Sequence, residues 1–319
     1  MQQKMFVAAV CAGLTLAVFG AAADSPTFAE RMGWGPEDRV VIFNNDDAGM
    51  SHGQNLGSIR SFEAGVLKSW TIMMPCSWVT EIRDYLEENP EVCAGLHITH
   101  TSEFGQYRWT PLVGRSVAPG LYDEDGYMWP SVAEVVENAT ADEVEAELRA
   151  QIQMAEDMGI DITHYDTHMG TMNGSPEFFE RYVNVAIEKG IPVRVAVNRF
   201  GGPISGERQA RLNEAAERLW DAGLPVLDYL HASSYGWEKE EKVDRYVDLV
   251  RNLPPGVTEV IVHAAYPTED FNEITASGPS RYGDLLAMED PRLKEAIEEE
   301  GVIVISWRDL HEARKTVEE

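Results

Sequence analysis

Acids and imidazoles recur at the ends of apolar runs along this chain. Asp46 and Asp47 come soon after Val40-Val41-Ile42-Phe43, and His97 closes the run that starts at Val92. Asp166 and His168 follow Ile162–Tyr165, and His263 ends Val260-Ile261-Val262. Two carboxylates with several imidazoles form a ligand set suited to a divalent metal and to water activation. Paired acids held close have their pKa values pushed apart, so one can serve as a base while the other ligates. The Asp-x-His spacing sets Asp166 and His168 on one side of an extended segment. His168 could bind metal while Asp166 either ligates or orients a neighbouring imidazole. His164, one step earlier on that side, is a weaker candidate. His263, across the pocket, could donate a proton to a leaving amine or alcohol. Arg194, Asn198 and Arg199 follow a fifth apolar run and could orient a substrate or hold the base. Arg281 falls in a late loop with Tyr282 and Asp284. Each signal alone has a plain structural reading: an exposed turn, a satisfied buried histidine, a solvated arginine. Their repeated placement at the ends of apolar runs is what points to a site.

Eight β-type runs could carry these residues: Val40–Phe43, Trp70–Met74, Val92–Ile98, Ile162–Tyr165, Val193–Val197, Pro225–Leu230, Glu259–His263 and Val302–Trp307. Helical patterns fill most gaps. Asp142–Met158 is rich in helix formers and Gly159 stops it; Ser175-Pro176-Glu177 opens the next helix and Gly190 ends it. Residues Gly206–Asp221, Lys239–Asn252 and Pro291–Glu300 have similar character. Strands alternating with helices predict an α/β fold, a closed or nearly closed (β/α) barrel of the TIM type, with a doubly wound open sheet as the alternative. In such a barrel the strand C-termini open onto one face, where distant residues meet. Residues 99–141 exceed a simple crossover and hold Phe104, Tyr107, Trp109, Tyr122, Tyr127 and Trp129. These rings could stack on a sugar or pack the loop's own small core.

Lys4, the apolar stretch Met5–Val18 and Ala21-Ala22-Ala23 read as a signal peptide over residues 1–23, with 24–319 as a single domain. The expected location is therefore periplasmic or secreted. Cys11 lies within the apolar stretch, and Cys76 and Cys93 could form a disulfide or stay as buried thiols. Against 54 acidic residues stand 26 Lys and Arg, a formal charge of −28. That balance excludes nucleic acid and anionic membrane surfaces as partners, and it suits solubility.

At these residues the chain resembles the YdjC-like (ChbG-type) carbohydrate deacetylase family. The resemblance rests on Asn45-Asp46-Asp47-x-Gly49-Met50-Ser51, Gly65-Val66-Leu67-Lys68-Ser69, Gly95-Leu96-His97 and Glu147-x-x-Ala150-Gln151-Ile152. It continues through Thr163–His168, Pro192-Val193-Arg194, His263-Ala264-Ala265-Tyr266-Pro267, Arg281 and Ile305–Leu310. It implies a metal-dependent deacetylase of N-acetylated sugars or oligosaccharides on a distorted (β/α) barrel. Carried over, Asp46 would be the general base, with Asp47, His97 and His168 as metal ligands and His263 as a proton donor or acceptor near the leaving group. The chain departs from the family at Ala48, where an aromatic residue is usual, and at Gly170 and Met172, where further histidines often stand. It departs again at Ala264-Ala265, which replace Pro-Gly. The ligand set survives these changes, while the pocket around it differs. Mixed His/Asp ligation favours zinc or another transition metal over magnesium. The expected partner is an acetylated sugar. Alternatives are an esterase or amidase on another acetylated glycan, or a glycan-binding protein on the same fold.

Overall fold

The computed structural model describes residues 25–200 and 202–317. The expected signal peptide, 1–23, lies outside them. The chain alternates strands and helices in the order α1 (Phe28–Arg31), β1 (Arg39–Ala48), α2 (His52–Glu63), β2 (Ser69–Ile72), α3 (Val79–Glu88) and β3 (Cys93–Ile98). There follow α4 (Val132–Asn138), α5 (Ala141–Asp157), β4 (Tyr165–Thr167), α6 (Pro176–Lys189), β5 (Ala196–Arg199), α7 (Gly206–Asp221) and β6 (Leu227–His231). The last elements are α8 (Lys242–Arg251), β7 (Gly256–Val262), α9 (Phe271–Ile274), α10 (Gly278–Glu289), α11 (Pro291–Glu299), β8 (Ile303–Val304) and α12 (Trp307–Thr316). Among the described residues no helix is long and apolar enough to cross a membrane.

The strands pair in parallel in the order β4-β3-β2-β1-β7-β6-β5, with β8 beside the start of β1. A parallel bridge between Tyr165 and Val193 brings the chain entering β5 against β4, joining the two ends of that path at one narrow point. The result is the expected distorted (β/α) barrel rather than an open doubly wound sheet. Along β1, Val40 and Ile42 pack into one apolar cluster and Val41 and Phe43 into another. A strand buried on both faces reads as a continuous apolar run, which is why this one was visible in the sequence.

Capping chemistry sets the helices. Thr140 and Glu143 form a reciprocal capping box at the start of α5, and Ser175 caps α6, which closes on Gly190 at φ 67°. Ser306 caps α12 through its own box with Asp309. That cap ends the eighth strand at Val304, short of the expected Trp307. The fourth strand is also displaced: the ladder with β3 runs from Leu96–Tyr165 to Ile98–Thr167. Asp166 therefore sits within the strand, not after it.

Most of the aromatic rings of residues 99–131 pack the loop itself. Trp109 Nε1 donates to the Thr101 carbonyl at 2.8 Å and Trp129 Nε1 to that of Gly120 at 2.8 Å. Tyr122 donates to the Val113 carbonyl at 2.6 Å, and Tyr107 to that of Met50 at 2.6 Å. Of the six rings only Phe104 lines the large cavity. Among the described residues Cys76 and Cys93 are buried free thiols, with no disulfide between them.

Candidate metal centre and active site

The two adjacent aspartates owe their placement to a β-bulge. Asn45 pairs with Trp70 and Ala48 with Ile72, so the first strand carries one residue more than its partner between these points. Two residues then oppose one, and the strand kinks. Asp47 takes φ 69°, a left-handed conformation that Asp tolerates better than most residues. Asp46 and Asp47 both consequently face the cavity. An ordinary strand would have sent neighbours to opposite faces. Gly57 lets α2 come close behind His263: a Cβ there would lie 2.3 Å from the Ala264 carbonyl oxygen, so α2 can press directly on the chain just beyond His263.

Asp47 Oδ1, His97 Nε2 and His168 Nδ1 converge. Both imidazole nitrogens lie 3.2 Å from Asp47 Oδ1, and all three atoms fall within 4.8 Å of one another. All three residues are at most 4% exposed. Two ligands about 2.1 Å from a common ion, at tetrahedral or octahedral angles, stand roughly 3.0–3.4 Å apart. Asp47 Oδ1 is buried without a hydrogen bond. Its other oxygen accepts from Arg281 Nη1 at 2.6 Å, which fixes which oxygen faces the imidazoles.

Each imidazole presents one nitrogen to this point and the other to a carboxylate. His97 Nδ1 meets Asp166 Oδ1 at 2.5 Å, and His168 Nε2 meets Glu103 Oε2 at 3.0 Å. A carboxylate behind a histidine fixes its tautomer and raises its basicity toward a metal. Burial alone would lower both imidazoles, but Asp166 and Asp46 hold His97 well above its ordinary value, and Glu103 and Asp47 lift His168 to about 9. The site thus demands positive charge at this point, supplied either by protons on these rings or by a cation between them. The donor set fits a divalent transition metal.

Asp46, His97 and Asp166 form a second cluster close enough to hold an ion. Arg194 already occupies it. One guanidinium nitrogen lies 2.8 Å from Asp46 Oδ1, 2.5 Å from Asp166 Oδ2 and 2.9 Å from Glu259 Oε1. Thr71 and Asn44 complete the hydrogen bonds to Asp46 and Asp166. Asp166 is therefore better described as orienting His97. Burial opposes ionisation of Asp46, but Arg194, His97 and His263 outweigh it and hold the carboxyl well below its usual range. Burial together with Asp166 and Asp46 pushes Glu259 up to about 7, against the pull of Arg194.

His263 borders the same cavity, with its backbone N–H bonded to Asp284 Oδ2 at 3.1 Å and the Tyr235 ring edge-on at 5.0 Å. Its Nδ1 is buried without a partner. Burial, reinforced by Arg281 and opposed by Asp47, lowers it to about 4, so the ring is neutral at neutral pH. The cavity measures about 660 Å³, within the ordinary range for a ligand pocket.

All five residues expected from the sequence thus meet at one cavity. His164 does not: it stacks on Trp307 at 4.7 Å, away from the ligands. Arg281 belongs to α10, not to a loop, and is a buried partner of Asp47 rather than a solvated surface group. Glu103 and Glu259 were not singled out in the sequence. Glu103 carries no local signal beyond being an acid shortly after a strand. Glu259 lies inside an apolar run, where an unexplained charge was the available clue.

A family model for YdjC-like proteins matches residues 40–299. A carbohydrate deacetylase of Thermus thermophilus is 31% identical over 284 residues, covering 89% of this chain and 98% of that protein. A carbohydrate deacetylase of Geobacillus stearothermophilus is 27% identical over 276 residues, covering 86% and 98%. Among solved structures, an Enterococcus faecalis V583 protein named for cellobiose-phosphate cleavage superposes with a TM-score of 0.73. That likeness spans 86% of this chain and 99% of the other at 22% identity, and it is one of fold.

Proposed function

The chain belongs to the YdjC-like protein family, and from that premise we propose that it is a metal-dependent carbohydrate deacetylase acting outside the cytoplasm. The observation that carries the reading is the convergence of Asp47 Oδ1, His97 Nε2 and His168 Nδ1 within 4.8 Å. Asp46 and His263 line the same cavity. The names of the relatives support an acetylated sugar as substrate. The apolar N-terminal segment supports export.

Asp47, His97 and His168 would hold the ion, zinc before other transition metals or magnesium. When bound there, it would supply Lewis acidity toward water and toward an acetyl carbonyl. The chain's own groups do the rest. Arg281 pins one oxygen of Asp47, and Asp166 and Glu103 keep a ligating lone pair on each imidazole. Asp46, ionised and clamped by Arg194, takes the proton of the attacking water. Its depressed pKa means that it passes this proton on rather than retaining it. His263, neutral and with an unpartnered Nδ1, accepts a proton and delivers it to the leaving amine.

The test is acetate release from a panel of N- and O-acetylated oligosaccharides, with chelator and then with added zinc, cobalt, nickel or magnesium. Chelator-sensitive, metal-restored release is expected, with N-acetyl substrates preferred. Faster release from O-acetyl substrates would make the protein an esterase. Tight glycan binding without acetate under any metal would leave a binding role.

A further inference from the structure

The outer end of the cavity carries arginines that have no acid. Arg199 at the end of β5 and Arg208 in the first turn of α7 are exposed and line the cavity mouth. Arg211, one turn along α7, borders an adjoining cleft with Arg208, Asn173 and Ser175. Among the described residues none of the three makes an ion pair or hydrogen bond through its guanidinium. This chain has 54 acidic against 26 basic residues, so an arginine without a partner needs a reason. On the same helix Arg218 meets Glu180 at 3.0 Å. Glu207 stands four residues before Arg211, the spacing that pairs charges on a helix, yet the two do not pair. Among the described residues Arg251 is the other arginine without a partner, and it lines neither cavity.

We propose that Arg199, Arg208 and Arg211 form an anion-binding subsite, and that the substrate is an acetylated glycan bearing a carboxylate or sulfate on a ring flanking the acetylated one. The proposal rests on the deacetylase reading and names the substrate class of that site. The metal ligands lie buried at the inner end while the three arginines stand at or beside the mouth, so the charge belongs to a unit projecting outward. Guanidinium forks match carboxylate and sulfate oxygens in pairs. The −28 charge of the chain does not forbid this, because exposed charges beyond about 8–10 Å are screened at physiological salt.

The experiment compares acetate release from the N-acetylglucosamine tetramer, a hyaluronan tetrasaccharide, which carries carboxylates on the flanking rings, and an N-acetyllactosamine tetrasaccharide sulfated on its galactose rings, which carries flanking sulfates and no carboxylate. Wild type is set beside R199Q/R208Q and the triple variant with R211Q. The ratio of kcat/KM, charged over neutral, should fall at least about tenfold in the double variant, mainly through KM, and further in the triple. The carboxylate and sulfate arms identify the anion. A ratio unchanged within about twofold would overturn the subsite. If wild type releases no acetate from any of the three, the deacetylase reading fails and the arginines are judged by calorimetric binding of the same tetrasaccharides. At least about fivefold weaker binding of a charged one by the double variant upholds the subsite; equal affinity sinks it.

Discussion

Asp166→Asn separates the two places where an ion could sit. Asp166 Oδ1 accepts from His97 Nδ1, and Oδ2 accepts from Thr71 Oγ1 at 3.0 Å and from Arg194. The amide keeps the shape but turns one acceptor into a donor. With Arg194 and Thr71 both donating, the amide oxygen is claimed on that side and its NH2 is left facing His97. Nδ1 must then accept, which moves the ring proton to Nε2, the nitrogen that faces Asp47. Losing a carboxylate behind a metal histidine costs about 10- to 100-fold in metal affinity, or about 1.4–2.8 kcal/mol. The assay is competition with a chromophoric chelator for zinc and cobalt at fixed neutral pH, beside Asp47→Ala. Weakened but measurable binding is expected, while Asp47→Ala abolishes it. Wild-type affinity would refute the orienting role. Loss as complete as in Asp47→Ala would make Asp166 a ligand and move the ion to the Asp46–His97–Asp166 cluster.

Other consequences follow from the same geometry. Because His168 is lifted to about 9 and His97 is also raised, the metal-free protein carries protons on these rings at neutral pH. Metal binding must then release protons and strengthen as pH rises toward about 9, which calorimetry in buffers of different ionisation enthalpy will read. Arg281→Met strands Asp47 Oδ2 as an unpaired buried charge and should lower stability by about 3–5 kcal/mol, seen as a fall in the denaturant midpoint that added metal partly restores. Gly57→Val drives a side chain into the Ala264 carbonyl and should cost about 1–3 kcal/mol, with activity falling as His263 shifts. An unchanged Tm in that variant would show that α2 can retreat freely.

The barrel was legible because its strands are buried and its helices are capped. Val40–Phe43 reads as a strand for that reason, and Thr140, Ser175 and Gly190 mark helix ends by their own side-chain or backbone chemistry. The ligands were legible as acids and histidines that an apolar core would not otherwise carry. What escaped depends on three-dimensional detail. The bulge that turns Asp46 and Asp47 toward one cavity is a difference in register between two strands, and no single strand records it. Tyr165-Asp166-Thr167 looks like the end of a strand because Asp166 is polar, yet its carboxylate is fully satisfied inside the barrel. Arg281 looks like a surface residue until α10 brings it against Asp47, far away in sequence. The aromatic loop could be read two ways, and the indole and phenol donors of Tyr107, Trp109, Tyr122 and Trp129 found backbone carbonyls, mostly within the loop.

The most direct test of the account is a reconstitution titration. Chelator-stripped protein receives zinc in small steps while bound metal and acetate release are followed together on one acetylated oligosaccharide. Activity should rise in proportion to bound metal and level off at about one ion per chain, with Asp47→Ala flat throughout. Full activity in stripped protein, or metal uptake by Asp47→Ala equal to wild type, would contradict a catalytic ion held by Asp47, His97 and His168.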